Sequence, residues 1–125
     1  MSLGPFTDPR HALGREGEQL VATHLAAKGF TILARNARVG RLELDLIARR
    51  GSLLVFCEVR ARRSDAFMSP WQSVDARKTD RLRRAAAAWL AGSGLRGRVD
   101  VRFDVASLVV RNGLTELEYF ERAFE

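Results

Sequence analysis

The run LELDLIARRGSLLVFCEVRAR, residues 42–62, limits what the chain can become. Two stretches rich in Leu, Ile, Val and Phe flank Arg50-Gly51, and in each of them one set of alternate residues is apolar throughout. That period belongs to strands, and the central glycine belongs to a tight turn. A two- or four-residue turn around Arg50-Gly51 keeps the alternation in phase, whereas three residues without a bulge would break it. In phase, Leu44, Leu46, Ala48, Leu53, Val55, Cys57 and Val59 form one wholly apolar face that must be buried. The other face is apolar near the turn, with Ile47, Leu54 and Phe56. At its far end it is charged, with Glu43, Asp45, Glu58 and Arg60. The chain is therefore expected to build a sheet around this hairpin, with three acids and a guanidinium gathered at one end.

The flanking sequence supplies the rest of a single domain over residues 1–125. Asp8-Pro9 is a helix start, and Gly29 a helix end. Between them Leu13, Gly17, Leu20, Val21 and His24 fall on one helical face. FTILARNARV reads as a first strand and RRSDAFMSPWQ as a polar, irregular loop. A second helix is expected from about Asp75 to Ala91, with Leu82, Ala85, Ala86, Trp89 and Leu90 as its apolar stripe. RVDVRFDVASLVV is a strand with Val99, Val101, Phe103 and Val105 on one face. Asn112-Gly113 is a hairpin turn into a last strand over about Thr115–Phe120. The order αβββαββ makes this an α/β or α+β domain. Residues 1–8 are expected to be disordered or in part a cloning remnant.

Hydrophobic content of 46% and charged content of 29% suit a soluble globular protein, and no apolar run approaches the ~20 residues that span a bilayer. Cys57 is the sole cysteine, which excludes a disulfide framework and a thiolate metal site. With no secretory pattern before the first helix, a cytoplasmic setting is expected. The net charge of +6 favours a polyanionic partner, nucleic acid first. It also has a plain alternative: every basic residue except Lys28 and Lys78 is arginine, a preference that coding bias alone produces.

Clustered carboxylates repel each other, and partial burial sharpens the conflict. A hard divalent cation such as Mg²⁺ resolves it, because such ions take one or two carboxylates and complete their shell with water and phosphate. The competing explanation is a surface salt-bridge pattern in which Arg60 neutralises Glu58 or Glu43.

These residues also carry a resemblance. LDLIARRGSLLVFCEVR resembles the D-x(n)-E-x-K signature of the restriction-endonuclease-like PD-(D/E)xK nucleases, with Asp45 and Glu58 as the acids and Arg60 in the lysine position. More closely, the chain resembles the bacterial YraN-type family. It carries Gly14-Arg15-Glu16-Gly17-Glu18, then Glu43-Leu44-Asp45-Leu46-Ile47-Ala48, Phe56-Cys57-Glu58-Val59-Arg60, Lys78 and Arg102-Phe103-Asp104 in that family's order. The likeness covers about residues 10 to 110. It implies a restriction-endonuclease-like α/β domain, a central mixed sheet flanked by helices, with kinship to archaeal Holliday-junction resolvases. It implies Mg²⁺ or Mn²⁺ on Asp45 and Glu58, a carbonyl near Val59 as third ligand, Glu18 assisting and Glu43 behind them. The implied activity is endonucleolytic, on structured or branched nucleic acid, with DNA ahead of RNA. Two positions depart from the pattern: Leu42 stands where the family has glycine, and Arg60 where the nucleases have lysine. Arginine stays protonated, so Arg60 can stabilise charge on a phosphate but cannot act as a base.

Lys78 falls between Ala85 and Trp89 on the apolar side of the second helix, where an ammonium wants an acid partner, and so becomes the other cationic candidate for catalysis. Arg77, Arg81 and Arg84 flank that helix, and with Arg62 and Arg63 they could line a phosphate track. Trp71 is placed either in the core or against a base. Gly17 suggests close packing of the first helix, which would bring Glu18 nearer the acids. His24, Cys57 and Phe103 are assigned to the core, and Asp104 to a cap or local pair. Two non-catalytic alternatives stand beside the nuclease: a nucleic-acid-binding module on the same fold, and a protein-interaction scaffold. Oligomeric state is left open, a homodimer included.

Overall fold

The computed structural model describes residues 9–63 and 76–125, the side chains of residues 9–14 and of Arg62 and Arg63 excepted. The Asp8 cap and the loop with Pro70 and Trp71 therefore lie outside the described residues, as does the side chain of Leu13. The elements are α1 (Pro9–Ala27), β1 (Thr31–Val39), β2 (Leu42–Arg50), β3 (Leu53–Arg63), α2 (Ala76–Ser93), β4 (Asp100–Arg111) and β5 (Leu114–Phe124), in the order the sequence leads one to expect. The strands form one mixed sheet in the order β1-β2-β3-β4-β5. β3 and β4 run parallel and every other neighbouring pair is antiparallel. A parallel pair needs a long crossover, and α2 lies within it.

Each helix covers one face. α1 buries Val21 and Leu25 on Leu46, Ala48, Val55, Cys57, Ala106 and Leu108. α2 lays Leu82, Ala85 and Ala86 on Ile47, Leu54 and Phe56, with Trp89 and Leu90 partly buried at the margin. Truncating a leucine as enclosed as Leu25 or Leu54 costs about 2–5 kcal/mol. At the end of α1, Gly29 has φ 88. Its amide donates to the Ala26 carbonyl and that of Phe30 to the Leu25 carbonyl. This is a Schellman closure, and it folds Phe30 into the same cluster as Leu25. Among the described residues no helix is long and apolar enough to cross a membrane.

The β2–β3 turn is the two residues Gly51-Ser52, since Arg50 pairs with Leu53. The alternation is in phase near it but does not persist. Leu46 and Ala48 join the cluster beneath α1, whereas Leu42 and Leu44 join the one beneath α2. The expected single face of Leu44 and Leu46 is thus split, and β2 changes face at Asp45. The β2–β3 ladder ends at the same place, with Leu46 opposite Cys57. On the other side, Asn36 sits between the pairs Arg35↔Leu46 and Ala37↔Leu44 with φ 50.

Three further expectations are corrected. Leu20 and Val101 are exposed rather than buried, because α1 meets the sheet through Val21 and Leu25 and β4 buries Arg102 and Asp104 on its opposite side. β5 runs to Phe124 rather than Phe120: the chain bulges around Arg122 (φ 51) and then pairs Phe124 with Phe103. Asp104 secures that bulge. Fully buried, it accepts two bonds of 2.9 Å from Arg102, one of 2.6 Å from the Tyr119 hydroxyl and one of 3.1 Å from the Arg122 amide. Such satisfaction offsets the cost of burying a polar group.

Candidate functional site

Where β2 leaves β3, the backbone of β3 loses its partner on that side while keeping β4 on the other. The Val59 amide donates instead to Asp45 Oδ2 at 2.8 Å. This bond turns the Asp45 carboxylate toward β3, where Glu58 is near enough to share a hydrogen bond with it when one of them is protonated. Behind the two acids the wall is apolar, with Leu44, Leu46, Phe56, Leu82 and Phe103. In front is an open cleft of about 270 Å³ lined by Leu42, Glu43, Asp45, Glu58, Lys78, Arg81 and Leu82. Burial in this corner, the negative charge of Glu58 and, more weakly, that of Glu18 push the Asp45 carboxyl up to about 7; the Val59 amide opposes the shift.

The cations meet on Glu58. Lys78 Nζ, from the first turn of α2, lies 3.0 Å from Glu58 Oε1, and Arg60 Nη2 lies 3.9 Å from the same oxygen. Lys78 thus has the acid partner that its place on the apolar side of α2 requires. Arg77, Arg81 and Arg84 are exposed and line a neighbouring hollow with Asp80. Arg84 is paired with Asp80 one turn earlier on its own helix. Glu43 stands exposed at the cleft rim, opposite Arg38 of β1. The side chains of Arg62 and Arg63 are outside the described set.

Glu18 approaches the site from α1, near enough for its charge to act on Asp45. Gly17 allows this, because a Cβ there would lie 2.2 Å from the Cδ1 of the fully buried Leu108. Glu18 Oε2 accepts a 2.9 Å hydrogen bond from Asn36 Nδ2, and the neighbouring Gln19 Oε1 accepts one of 2.9 Å from Arg35. Asn36 escaped the sequence analysis. Its only signal was an asparagine inside a strand-like run, a residue type that tolerates left-handed backbone but is scarce in strands. Cys57 is no nucleophile: it is buried, and burial drives its thiol pKa upward.

Among the described residues, no group of three or more His, Cys, Asp or Glu is gathered at ligand spacing. The donor set is two carboxylates, one of them held near neutral pH by burial and by the other. That set fits a Mg²⁺-type ion, which takes one or two carboxylates and leaves its remaining positions to water and phosphate.

Fold and site together define a small α/β domain with a crowded acid pair at the mouth of a cation-lined cleft. The chain belongs to the uncharacterised protein family UPF0102, whose family model matches residues 17–108. It is 45% identical over 123 residues to a UPF0102 protein of Sorangium cellulosum, covering 96% of this chain and 85% of that one. A UPF0102 protein of Acidothermus cellulolyticus is 47% identical over 126 residues, with 92% and 95% covered. One of Streptomyces griseus is 46% identical over 111 residues, with 88% and 93% covered. Among solved structures, that of Pyrococcus furiosus SfsA in complex with Ca²⁺ overlaps 90% of this chain and 63% of that one. Identity there is 15% and the TM-score 0.35.

Proposed function

We propose that the chain is a metal-dependent endonuclease of restriction-endonuclease-like type, acting on structured or branched DNA. The observation that carries this is the pair Asp45 and Glu58, packed together against an apolar wall at the mouth of a cleft that also presents Lys78 and Arg81. Asp45 and Glu58 would hold Mg²⁺ or Mn²⁺, with a backbone carbonyl near Val59 as the further donor and Glu18 and Glu43 flanking them. A divalent ion supplies Lewis-acid polarisation of a phosphodiester and activation of an attacking water. The chain's own contribution is electrostatic. Arg60 and Lys78 face the charge that builds on the scissile phosphate. Arg77 and Arg81, with Arg62, Arg63 and Arg84, hold the flanking phosphates.

A second reading, a nucleic-acid-binding module that does not cut, is favoured by one specific contact. Lys78 already neutralises Glu58 at 3.0 Å, so an arriving ion must compete with an internal cation. Single-turnover cleavage of branched and linear DNA in Mn²⁺ separates the two. Wild type should nick the branched substrate and Asp45→Asn should not, with DNA affinity retained. Arg60→Lys should cut faster than wild type, and Lys78→Ala slower. Intact binding without cutting by wild type or by Arg60→Lys leaves the binding module; neither binding nor cutting leaves the interaction scaffold.

A further inference from the structure

Asn36 belongs to no acid or base pattern, yet three independent features converge on it. In the β1–β2 ladder it occupies the place opposite Asp45, between the pairs Arg35↔Leu46 and Ala37↔Leu44. Its backbone is left-handed, with φ 50, in the middle of a strand whose regular conformation is extended. Its side-chain amide donates 2.9 Å to Glu18 Oε2, across the gap between β1 and α1. A left-handed residue inside a strand is strained unless its surroundings demand it, and such residues gather where a side chain must be aimed. A side-chain amide that donates to a carboxylate also fixes which carboxylate oxygen remains free.

We infer that Asn36 is a positioning residue: it turns its amide across the sheet edge to hold Glu18 on the side of α1 nearer Asp45, where its carboxylate would accept from the waters of a bound ion rather than bind the ion itself. The left-handed turn at position 36 coincides with the point where β2 changes face. The local break in the β1–β2 pair therefore serves Asp45 on one strand and Glu18, through Asn36, on the neighbouring helix. Gly17 sets how near α1 comes and Asn36 sets how Glu18 points. This deepens the metal-site reading above and rests on it. Groups that act on a metal site from outside its coordination sphere typically change metal affinity about 10–100-fold, an effect that is measurable without any cleavage assay.

The test is a Mn²⁺ titration by calorimetry on wild type, Asn36→Gly, Glu18→Ala and the double variant, with melting temperatures recorded in the absence of metal. Glycine accepts the left-handed backbone without strain, so Asn36→Gly removes the amide and leaves the turn. The expected result is a metal-free melting temperature close to wild type and Mn²⁺ binding weakened at least about tenfold. Because Asn36 acts through Glu18, the double variant should bind no more weakly than Glu18→Ala alone. Mn²⁺ affinity of Asn36→Gly equal to that of wild type would overturn the positioning role while leaving the metal site standing. A double variant that loses the two effects additively would also overturn it. No Mn²⁺ binding by wild type removes the metal site and the inference together, and so is told apart from the first failure. If Asn36→Gly does not fold, Glu18→Gln replaces it. The glutamine side chain keeps an oxygen for the Asn36 amide while losing the charge, so this variant should still bind more tightly than Glu18→Ala; equal affinities would overturn the inference.

Discussion

Asp45 is where charge and burial conflict most directly. Its folded-state carboxyl is pushed from 3.8 up to about 7, by burial first and by Glu58 second. Between those values the folded chain holds a proton that the unfolded chain has released. The ionisation of Asp45 therefore costs no stability below about pH 4, costs progressively more as pH rises through the window, and costs most above about pH 7. Asp45→Asn abolishes that penalty, and the asparagine oxygen can still accept from the Val59 amide. In metal-free melts the variant should match wild type at pH 4 and melt a few degrees higher at pH 8, a gain on the order of 1 kcal/mol or more. Millimolar Mn²⁺ should reverse the order at pH 8, since only wild type gains a native-state ligand. A metal-free Asp45→Asn that melts below wild type at pH 8 would mean that the carboxylate is not in conflict with its surroundings. The same residue explains why the apolar pattern was only half informative. Period-2 alternation predicts faces while a ladder continues, but β2 parts from β3 at Asp45, and no residue type marks that point. Hence Leu44 went with Leu46 on paper and with Leu42 in the fold.

Among the elements, α1 depends on a single missing methyl. A Cβ at Gly17 would meet Leu108 Cδ1 at 2.2 Å, and Leu108 is fully enclosed. Alanine is the better helix former by roughly 1 kcal/mol. Overpacking costs about 1–3 kcal/mol, so Gly17→Ala should be destabilising in urea melts. It should also weaken Mn²⁺ binding, because Glu18 is the next residue. In a Leu108→Val background, which lacks the clashing methyl, the same change should become neutral or stabilising; equal cost in both backgrounds would place the strain elsewhere. Much at this scale was legible in the sequence. The glycine that ends α1, a tight turn at Gly51, the Asn112-Gly113 hairpin and the buried Leu82, Ala85 and Ala86 all follow from local chemistry, although that turn is Gly51-Ser52 rather than centred on Arg50-Gly51. The part that stayed hidden is non-local. Nothing in the residues around Arg122 announces that Asp104, far back in the chain, will hold a bulge there and extend β5 to Phe124. Nor does Asn36 announce a partner on α1.

Across the whole molecule the charge of +6 becomes a question of where the cations stand. Arg81 lines the acid cleft itself, and Arg77 the hollow beside it, whereas Arg84 is already paired with Asp80. Affinity for DNA should fall linearly with log salt. Arg77→Gln with Arg81→Gln should flatten that slope by about 2, one for each phosphate no longer neutralised. Arg84→Gln should change it less. An unchanged slope in the double variant, measured by fluorescence anisotropy over a salt series, would move the phosphate track off α2.

The parallel seam has a consequence for the time course of assembly. β1–β2, β2–β3 and β4–β5 are hairpins between sequence neighbours, but β3–β4 must bring Leu53 to Asp100 and Arg63 to Val110 around the whole of α2. Pairing of that range closes slowly, because the loop entropy is lost before the contacts form. Asp45 and Glu58 sit on an early hairpin. The wall that encloses them, from Leu82 on α2 and Phe103 on β4, arrives only once the seam has closed. An ion that needs the enclosed acids therefore stabilises the finished chain and not the barrier state. In stopped-flow experiments Mn²⁺ should slow unfolding and leave refolding unchanged. Faster refolding in Mn²⁺ would instead show that the two acids are already held together at the barrier, before the seam is made.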